Sequence, residues 1–245
     1  MDARQLALLK AMDVDVWARR DLPDPTPRPV VALPSQPAPA ASVAASGEPT
    51  SSQVGSMGWD ELAAKVRVCT LCALHTTRTQ TVFGVGNRQA EWLVIGEAPG
   101  ADEDRQGEPF VGRAGQLLNS MLQAMGFPRE QVFIANVLKC RPPGNRDPKP
   151  EEAACCTPYL ARQIELVNPR VILCVGRIAA QNLLSTDTPI GKLRGQVHRL
   201  GAKQRPVVVT YHPAYLLRSP GEKRKAWDDL QLALCTYGAS PPRPV

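Results

Sequence analysis

The chain has no run of about 18 consecutive apolar residues, the length needed to cross a bilayer. Its first residues also lack the apolar centre of a signal peptide, because Asp2, Arg4 and Lys10 interrupt the leucines. It contains no glycine-lysine phosphate loop of the Walker type. We therefore expect no membrane partner and a cytoplasmic location, and an enzyme of free nucleotides would lack its usual phosphate-binding motif.

A disulfide framework is not expected either. Seven cysteines are an odd number, and 245 residues with 43% hydrophobic content can build a core without disulfides. Metal ligation or simple burial is therefore the expected use of the cysteines. The formal net charge of +6 favours polyanionic partners, because lysine and arginine displace counterions from phosphates.

The composition divides the chain into four parts. Residues 1–20 form a short tethered helical arm, with Leu6, Leu9 and Met12 at helical spacing. Residues 21–57 are rich in proline, alanine and serine, and such a tract buries too little apolar surface to offset its ordering entropy. It predicts a disordered linker. Residues 58–238 then form the folded domain, and residues 239–245 a disordered tail.

Four short apolar runs predict the strands of a parallel sheet buried on both faces. They span residues 92–95, 132–137, 171–175 and 207–210. Helix-like segments alternate with them, at residues 115–125, 150–167, 177–184 and 222–235. We therefore predict an α/β fold, a three-layer α/β/α sandwich around a central four-stranded, mainly parallel sheet.

Distinctive polar residues stand where these strands end. Glu97 follows the first strand, Asn136 lies near the end of the second, and His212 follows the fourth. The carboxyl ends of parallel strands share one edge, and ligands bind in the crevice outside it, so these residues should converge. Residues 96–115 are too long for a simple connection and predict a binding loop.

Four cysteines predict a metal site. Cys69 and Cys72 form a C-x2-C knuckle, whereas Cys140 and Cys156 flank a later loop. Zinc and an iron–sulfur cluster both accept four thiolates, and the spacing does not choose between them. The other three cysteines are interpreted as small packing residues: Cys155, Cys174 and Cys235.

Five motifs, in order, resemble the family 4 uracil-DNA glycosylases, the bacterial and archaeal iron–sulfur branch of their superfamily. They are CTLC, GEAPG, GEPFVGRAGQLLNSML, ANVLKCRPPGNRDPKPEEAACCTPYLARQI and YHPAYLLR. The resemblance covers residues 59–237. It implies a monofunctional DNA repair enzyme that flips deoxyuridine out of DNA, hydrolyses its N-glycosidic bond and leaves an abasic site. It also implies a 4Fe-4S cluster, with zinc as the alternative, at Cys69, Cys72, Cys140 and Cys156.

The resemblance also assigns the uracil site. Phe110 is the expected stacking face, and the amide of Asn136 can both donate and accept, as the carbonyl and adjacent N–H of uracil require. His212 is the expected donor to the uracil anion. Glu97 is expected to position water or to stabilise the oxocarbenium-like sugar. Backbone groups of two residues are expected to line the site as well: Gly96 and Ala98.

Ala98 stands where the best-known family of the superfamily has an aspartate, and family 4 also carries a small residue there. Glu103 matches a family acidic position that shapes the pocket. Asp102 and Asp104 are interpreted as a solvated charge run at the start of a helix. The water-activating group is therefore the least determined part of the predicted site.

DNA contact is assigned by resemblance to two further loops. Leu216 is the expected wedge that fills the space left by the flipped base, with Arg218 two residues later. Arg141 and Arg146 border the cysteine loop and are expected to face the phosphate backbone.

We expect a monomer that acts on single- or double-stranded uracil-containing DNA and is nucleoid-associated by that function. Residues 5–9 loosely resemble the peptide by which bacterial repair enzymes bind the sliding clamp, so residues 1–20 could dock on the clamp or another repair partner. Two alternatives stay open: a non-catalytic or covalently trapping DNA-binding member of the superfamily, and a zinc-stabilised enzyme of free nucleotides. Residues 192–195 lack the histidine and insertion of the trapping branch.

Overall fold

The computed structural model describes residues 54–239. The strands are β1 (Val85–Gly86), β2 (Trp92–Gly96), β3 (Phe133–Asn136), β4 (Val171–Val175), β5 (Val197–Leu200) and β6 (Arg205–Thr210). The helices are α1 (Trp59–Arg67), α2 (Ala101–Gln106), α3 (Arg113–Ala124), α4 (Pro150–Val167), α5 (Arg177–Leu184), α6 (Ile190–Leu193), α7 (Pro213–Arg218) and α8 (Lys223–Ala239). The predicted arm, most of the predicted linker and residues 240–245 of the predicted tail lie outside the described residues.

The strands form one sheet in the order β1-β3-β2-β4-β6-β5. Its four central strands are parallel and coincide with the four apolar runs, which confirms the predicted α/β fold. The sheet is wider than predicted, because β1 and β5 add antiparallel edges. β1 has two residues and β5 reads VHRL with no buried residue, so neither shows a continuous apolar run.

The side chains of β2 alternate between two cores, which makes the domain three layers deep. Leu93 and Ile95 pack on the side of α4 and α5, whereas Trp92 and Val94 pack on the side of α3 and α8. Full burial of an aliphatic side chain of this size contributes about 1.5–3 kcal/mol. The central strands are therefore held from both faces, and their carboxyl ends are fixed in position.

A third, smaller core extends the domain toward the N-terminus. Val54, Leu62, Val66 and Tyr159 are buried together. Val54 falls inside the predicted linker of residues 21–57, yet none of its surface is exposed. The packed domain therefore begins before the predicted boundary at residue 58. Within residues 54–239, no helix combines the length and apolar character that a membrane crossing requires.

Candidate active site

The carboxyl ends of three strands bring predicted site residues together. The register pairs Gly96, at the end of β2, with Asn136, at the end of β3. Glu97 is the first residue after β2, and His212 is the second residue after β6. One cavity of about 450 Å³ is lined by the side chains of Asn136, Glu97 and His212. Four more residues to which the sequence pointed also line it: Ala98, Glu103, Phe110 and Arg218.

Gly96 leaves room for two of these side chains. A Cβ atom on Gly96 would lie 2.4 Å from Oδ1 of Asn136 and 2.6 Å from Cζ of Phe110, so a side chain there would displace both groups. Its carbonyl is already engaged, since it accepts from the N–H of Val137 at 2.9 Å. Gly96 thus keeps Asn136 and Phe110 in place by having no side chain, and the lining of the uracil site by its backbone groups stays a prediction.

Asn136 carries an unmatched acceptor in the cavity wall. The residue is 2% exposed, and its Oδ1 accepts no hydrogen bond from the described residues. The buried Nζ of Lys139 donates to the Asn136 carbonyl at 2.7 Å, which anchors the backbone at this strand end. Leaving a buried acceptor unpaired costs about 1–3 kcal/mol. A ligand N–H placed against Oδ1 recovers that free energy.

Phe110 has a left-handed backbone, with φ of 55°. This region is disfavoured for residues other than glycine. Its ring stacks on the ring of His212, with 5.6 Å between centroids and 29° between planes. The peptides after it are held by Glu103, whose Oε1 accepts from the N–H groups of Val111 and Gly112 at 3.0 and 3.2 Å. The stacking ring therefore projects from a braced loop.

The acidic residues of this loop have different environments: some accept hydrogen bonds from backbone N–H groups, and one lies at the surface. Asp104 is 4% exposed and accepts from the N–H groups of Thr79 and Gln80, so its interpretation as a solvated charge is wrong. Asp102 does form a surface ion pair, with Arg105. The predicted binding loop thus contains a short helix, α2, that is tied to a neighbouring segment.

His212 presents a neutral ring in one tautomer. Burial, and to a smaller extent the positive charge of Arg218, lower its pKa to about 4. Its Nδ1 accepts from the N–H of Ala214 at 3.1 Å, so the proton of the neutral ring is on Nε2. Gly176 backs the ring, because a Cβ there would lie 3.0 Å from Cβ of His212. The cavity wall therefore holds an N–H donor without a positive charge.

Glu97 titrates near neutral pH. Burial, and to a smaller extent the negative charge of Asp147, raise its pKa to about 7, while the positive charge of Arg177 opposes them. Nη2 of Arg177 donates to Oδ2 of Asp147 at 2.7 Å. Two carboxylates and one guanidinium thus act on one another at this end of the cavity. Small changes of charge here will change whether Glu97 is ionised.

Comparisons with known proteins agree with this geometry. The model of the Uracil DNA glycosylase superfamily matches residues 83–231. A type-4 uracil-DNA glycosylase of Archaeoglobus fulgidus is 50% identical over 167 residues, which cover 66% of this chain and 84% of that protein. One of Thermotoga maritima is 44% identical over 176 residues, 70% of this chain and 91% of that protein. The chain belongs to the type-4 uracil-DNA glycosylase family.

The cysteines of this type-4 family member lie near one another. Cys140 and Cys156 are buried, and Cys69 and Cys72 are half-buried. Burial raises the pKa of Cys140, and the thiols of Cys72 and Cys69 raise it further, whereas Arg78 lowers it. Burial raises the pKa of Cys156 to about 12, although Lys139 lowers it, and Cys140 and Cys72 make smaller contributions that raise it. Among residues 54–239, however, no three metal-binding side chains are grouped closely enough to hold a metal ion.

The predicted wedge does not face outward in this family member. Leu216 is 1% exposed and packs in the core on the side of α3 and α8, so it cannot leave without opening a cavity. Its neighbours in α7, Tyr215 and Leu217, are 36% and 37% exposed. The sequence Leu-Leu gave no indication of which leucine faces solvent. The geometry of α7 makes Leu217 the outward one.

The two arginines of the cysteine loop are engaged within the protein. Arg146 forms paired hydrogen bonds with Glu152 at 2.9 and 2.6 Å. Nε of Arg141 donates to Oδ1 of Asn145 at 2.8 Å. Neither arginine lines the cavity, whereas Arg218 does. Arg141 and Arg146 thus brace the loop, and their contact with DNA stays a prediction.

Sequence reasoning missed three polar residues of the cavity, one of which is Tyr215 of α7. Asn145 and Asp147 line it from the loop after β3, within the motif GNRDP. Their position beyond a strand end is the same signal that pointed to Glu97 and His212. Asn145 has φ of 55°, a conformation that asparagine adopts more readily than most residues. This loop, which has two polar side chains at the ligand edge of the sheet, could therefore have been included in the site predicted from the sequence.

Proposed function

We propose that the protein hydrolyses the N-glycosidic bond of deoxyuridine flipped out of DNA, releasing uracil and leaving an abasic site. The observation that carries this proposal is the buried, unpaired Oδ1 of Asn136 in the same cavity as the ring of Phe110 and the neutral His212. The N3–H of uracil matches that acceptor. The names of the type-4 relatives support the same activity.

The amide of Asn136 can distinguish uracil from cytosine. Its Oδ1 accepts from N3–H of uracil, and its Nδ2 donates to the adjacent carbonyl O4. Cytosine has an unprotonated N3 and an amino group at these positions, so both contacts would oppose like groups. A flipped base is read on this edge, and stacking on Phe110 holds its plane.

His212 and Glu97 act on the bond that breaks. Cleavage leaves negative charge on uracil and positive charge on the sugar, so the N–H of His212 stabilises the leaving base at O2. A neutral imidazole can donate this hydrogen bond without the free-energy cost of holding a positive charge in a buried site. Glu97, when ionised, accepts a hydrogen bond from the attacking water and stabilises the sugar cation. Its carboxylate form is therefore the active form.

The activity is tested with labelled oligonucleotides that contain either uracil or thymine at one position. After incubation with the purified full chain and alkali treatment, we expect strand cleavage at uracil and none at thymine. Lack of uracil-dependent cleavage by a folded sample would overturn the proposal. It would instead favour the non-catalytic, DNA-binding alternative, which the names of the relatives do not favour.

The titration of Glu97 predicts the pH dependence of excision. Because its pKa is raised to about 7, the single-turnover rate should rise with pH through about 7 and then level off. Glu97→Gln should lower the rate and remove this rise. The folded pKa also lies above the ordinary value, so ionisation of Glu97 destabilises the fold as pH rises. Glu97→Gln should therefore melt at a higher temperature than wild type at pH 8.

A profile for Glu97→Gln that rises through pH 7 as in wild type would contradict this role. Asp228→Asn is the matched control, since Asp228 is an exposed carboxylate that does not line the cavity. That variant should keep the wild-type profile.

We also propose that Cys69, Cys72, Cys140 and Cys156 hold a 4Fe-4S cluster. The thiols influence one another electrostatically, and the likeness to the type-4 relatives supports a cluster over a single zinc ion. Zinc binds sulfur at about 2.3 Å and needs four thiolates around one point, whereas a four-iron cluster is wider. Nη1 of Arg78 lies 3.1 Å from Sγ of Cys140, which favours the thiolate that a ligand must be.

When bound, the cluster would supply a cross-link between the knuckle at residues 69–72 and the loop at residues 140–156. That loop carries Asn145 and Asp147 into the cavity, so the cross-link would stiffen one wall of the site. We expect the purified protein to absorb visible light and to contain about four irons per chain. Cys140→Ser should lose the absorption and melt at a lower temperature, whereas Cys235→Ser, at an exposed cysteine, should keep both. A colourless wild-type protein with one zinc ion would contradict the cluster.

DNA contact is proposed for the surface around the cavity. Arg218 lines the cavity, and Leu217 replaces Leu216 as the proposed wedge because its side chain is exposed. The enzyme is proposed to act as a monomer in the cytoplasm, at the nucleoid where its substrate lies. Docking of residues 1–20 on the sliding clamp or another repair partner also remains a prediction, since those residues lie outside the described ones.

A further inference from the structure

We propose that Arg129 is a positioning residue for uracil excision, which holds the backbone of Phe110 in the conformation that presents its ring to the base. The inference rests on the proposed function. Arg129 is half-buried and does not line the cavity. It lies in a short turn between α3 and β3, 19 residues after Phe110 along the chain.

The guanidinium of Arg129 binds the carbonyl of Phe110 and the carbonyl of the residue before it. Nη2 donates to the carbonyl of Pro109 at 2.6 Å, and Nη1 donates to the carbonyl of Phe110 at 3.4 Å. Nη1 also donates to Oδ1 of Asn119, a residue of α3, at 3.2 Å. One planar group thus ties two consecutive carbonyls of the loop to the helix that follows it.

The backbone of Phe110 needs such a restraint. Its left-handed φ of 55° would relax to an extended or right-handed conformation if the loop were free, and the ring would then leave its place beside His212. The carbonyl of Phe110 also lies directly over Gly115, where a Cβ atom would be 1.8 Å from its oxygen. The peptide can occupy this position only because Gly115 has no side chain.

Restraint comes from both sides of Phe110. Glu103 accepts from the N–H groups of the next two residues, while Arg129 donates to the carbonyls of Pro109 and Phe110. Glu103 is an acceptor and faces N–H groups, whereas Arg129 is a donor and faces carbonyl groups. The two side chains come from separate elements, so the loop is held between two fixed parts of the domain.

Arginine suits this role better than lysine. Its planar group has five N–H donors in a fixed fork, and three acceptors are engaged here. A lysine nitrogen cannot reach the same three acceptors in one plane. The positive charge is also balanced, since Glu108, Glu130 and Glu103 all act on the guanidinium.

The test compares Arg129→Gln and Arg129→Lys with wild type in single-turnover excision at saturating enzyme. We expect Arg129→Gln to lower the rate about tenfold. The left-handed conformation disfavours a residue other than glycine by a free energy that corresponds to about this change in rate. Arg129→Lys should lie between the two. Affinity for the DNA duplex should stay within about twofold of wild type, because Arg129 lies outside the cavity. Arg88→Gln, at a surface arginine paired with Asp60, is the control and should excise at the wild-type rate.

A double-mutant cycle separates positioning from a general loss of structure. If Arg129 acts through the ring, Arg129→Gln should change the rate by less than about twofold once Phe110→Ala has removed that ring. A wild-type rate for Arg129→Gln, or the same tenfold loss in the Phe110→Ala background, would overturn the inference. If Arg129→Gln does not fold, the same cycle with Arg129→Lys decides. Failure of wild type itself to excise uracil would count against the proposed function instead.

Discussion

Replacement of His212 by alanine is expected to lower the single-turnover rate of uracil excision by about 100- to 1000-fold, the loss typical of removing one preorganised donor to a developing anion. The ring is buried, neutral and held in one tautomer by the N–H of Ala214, so its Nε2–H is in place before the bond breaks. Water that enters the space left by the ring would have to reorient during the reaction. The measurement is the excision rate at saturating enzyme.

His198→Ala is the control for this experiment. That histidine contacts the carbonyl of Leu193 and does not line the cavity, so its loss should leave the rate unchanged. The low pKa of His212 adds a second expectation: no change in rate between pH 5 and 8 should be traceable to His212. A loss of less than about fivefold in His212→Ala would remove this residue from the account of leaving-group stabilisation.

Asn136→Leu is expected to lower excision by about 100-fold or more while leaving the protein at least as stable. The base loses two hydrogen bonds, and each of its two polar groups left unpaired costs about 1–3 kcal/mol. A loss of about 1.4 kcal/mol corresponds to a tenfold lower rate. Stability should hold or rise, since the leucine replaces a buried amide whose Oδ1 has no partner among the described residues. Excision assays and thermal melts on the same samples measure both effects.

The opposite signs of these two effects distinguish a binding residue from a structural one. Asn182→Leu is the matched control, because Asn182 is exposed and lies on α5 outside the cavity. It should retain wild-type excision. If Asn136→Leu instead melted well below wild type and lost activity in proportion, Asn136 would be a residue of the fold and not a reader of the base.

The sheet and the centre of the site were predictable because they rest on short-range patterns. Each central strand contains a nearly continuous apolar run, and Glu97, Asn136 and His212 stand at or next to strand ends. The two edge strands carry no such run. They are defined by pairing with a neighbour, which a single sequence does not display.

The errors share a physical origin as well. Asp104 looked like one of a solvated run, but it accepts from the N–H groups of Thr79 and Gln80, 25 and 24 residues earlier. Leu216 and Leu217 are chemically identical, and only the packing of α7 decides which is buried. Arg129 likewise acts on Phe110 across a helix. Contacts between distant segments have no local signature, so they became visible only in the folded chain.

The most direct test of the uracil site is a crystal structure of the protein with free uracil, the expected product. We expect uracil to stack on Phe110, with N3–H against Oδ1 of Asn136 and O2 within hydrogen-bond distance of Nε2 of His212. We also expect a left-handed Phe110 with its carbonyl bound by Arg129. Uracil bound elsewhere, or in this cavity with its Watson–Crick edge turned away from Asn136, would contradict this assignment of the uracil site.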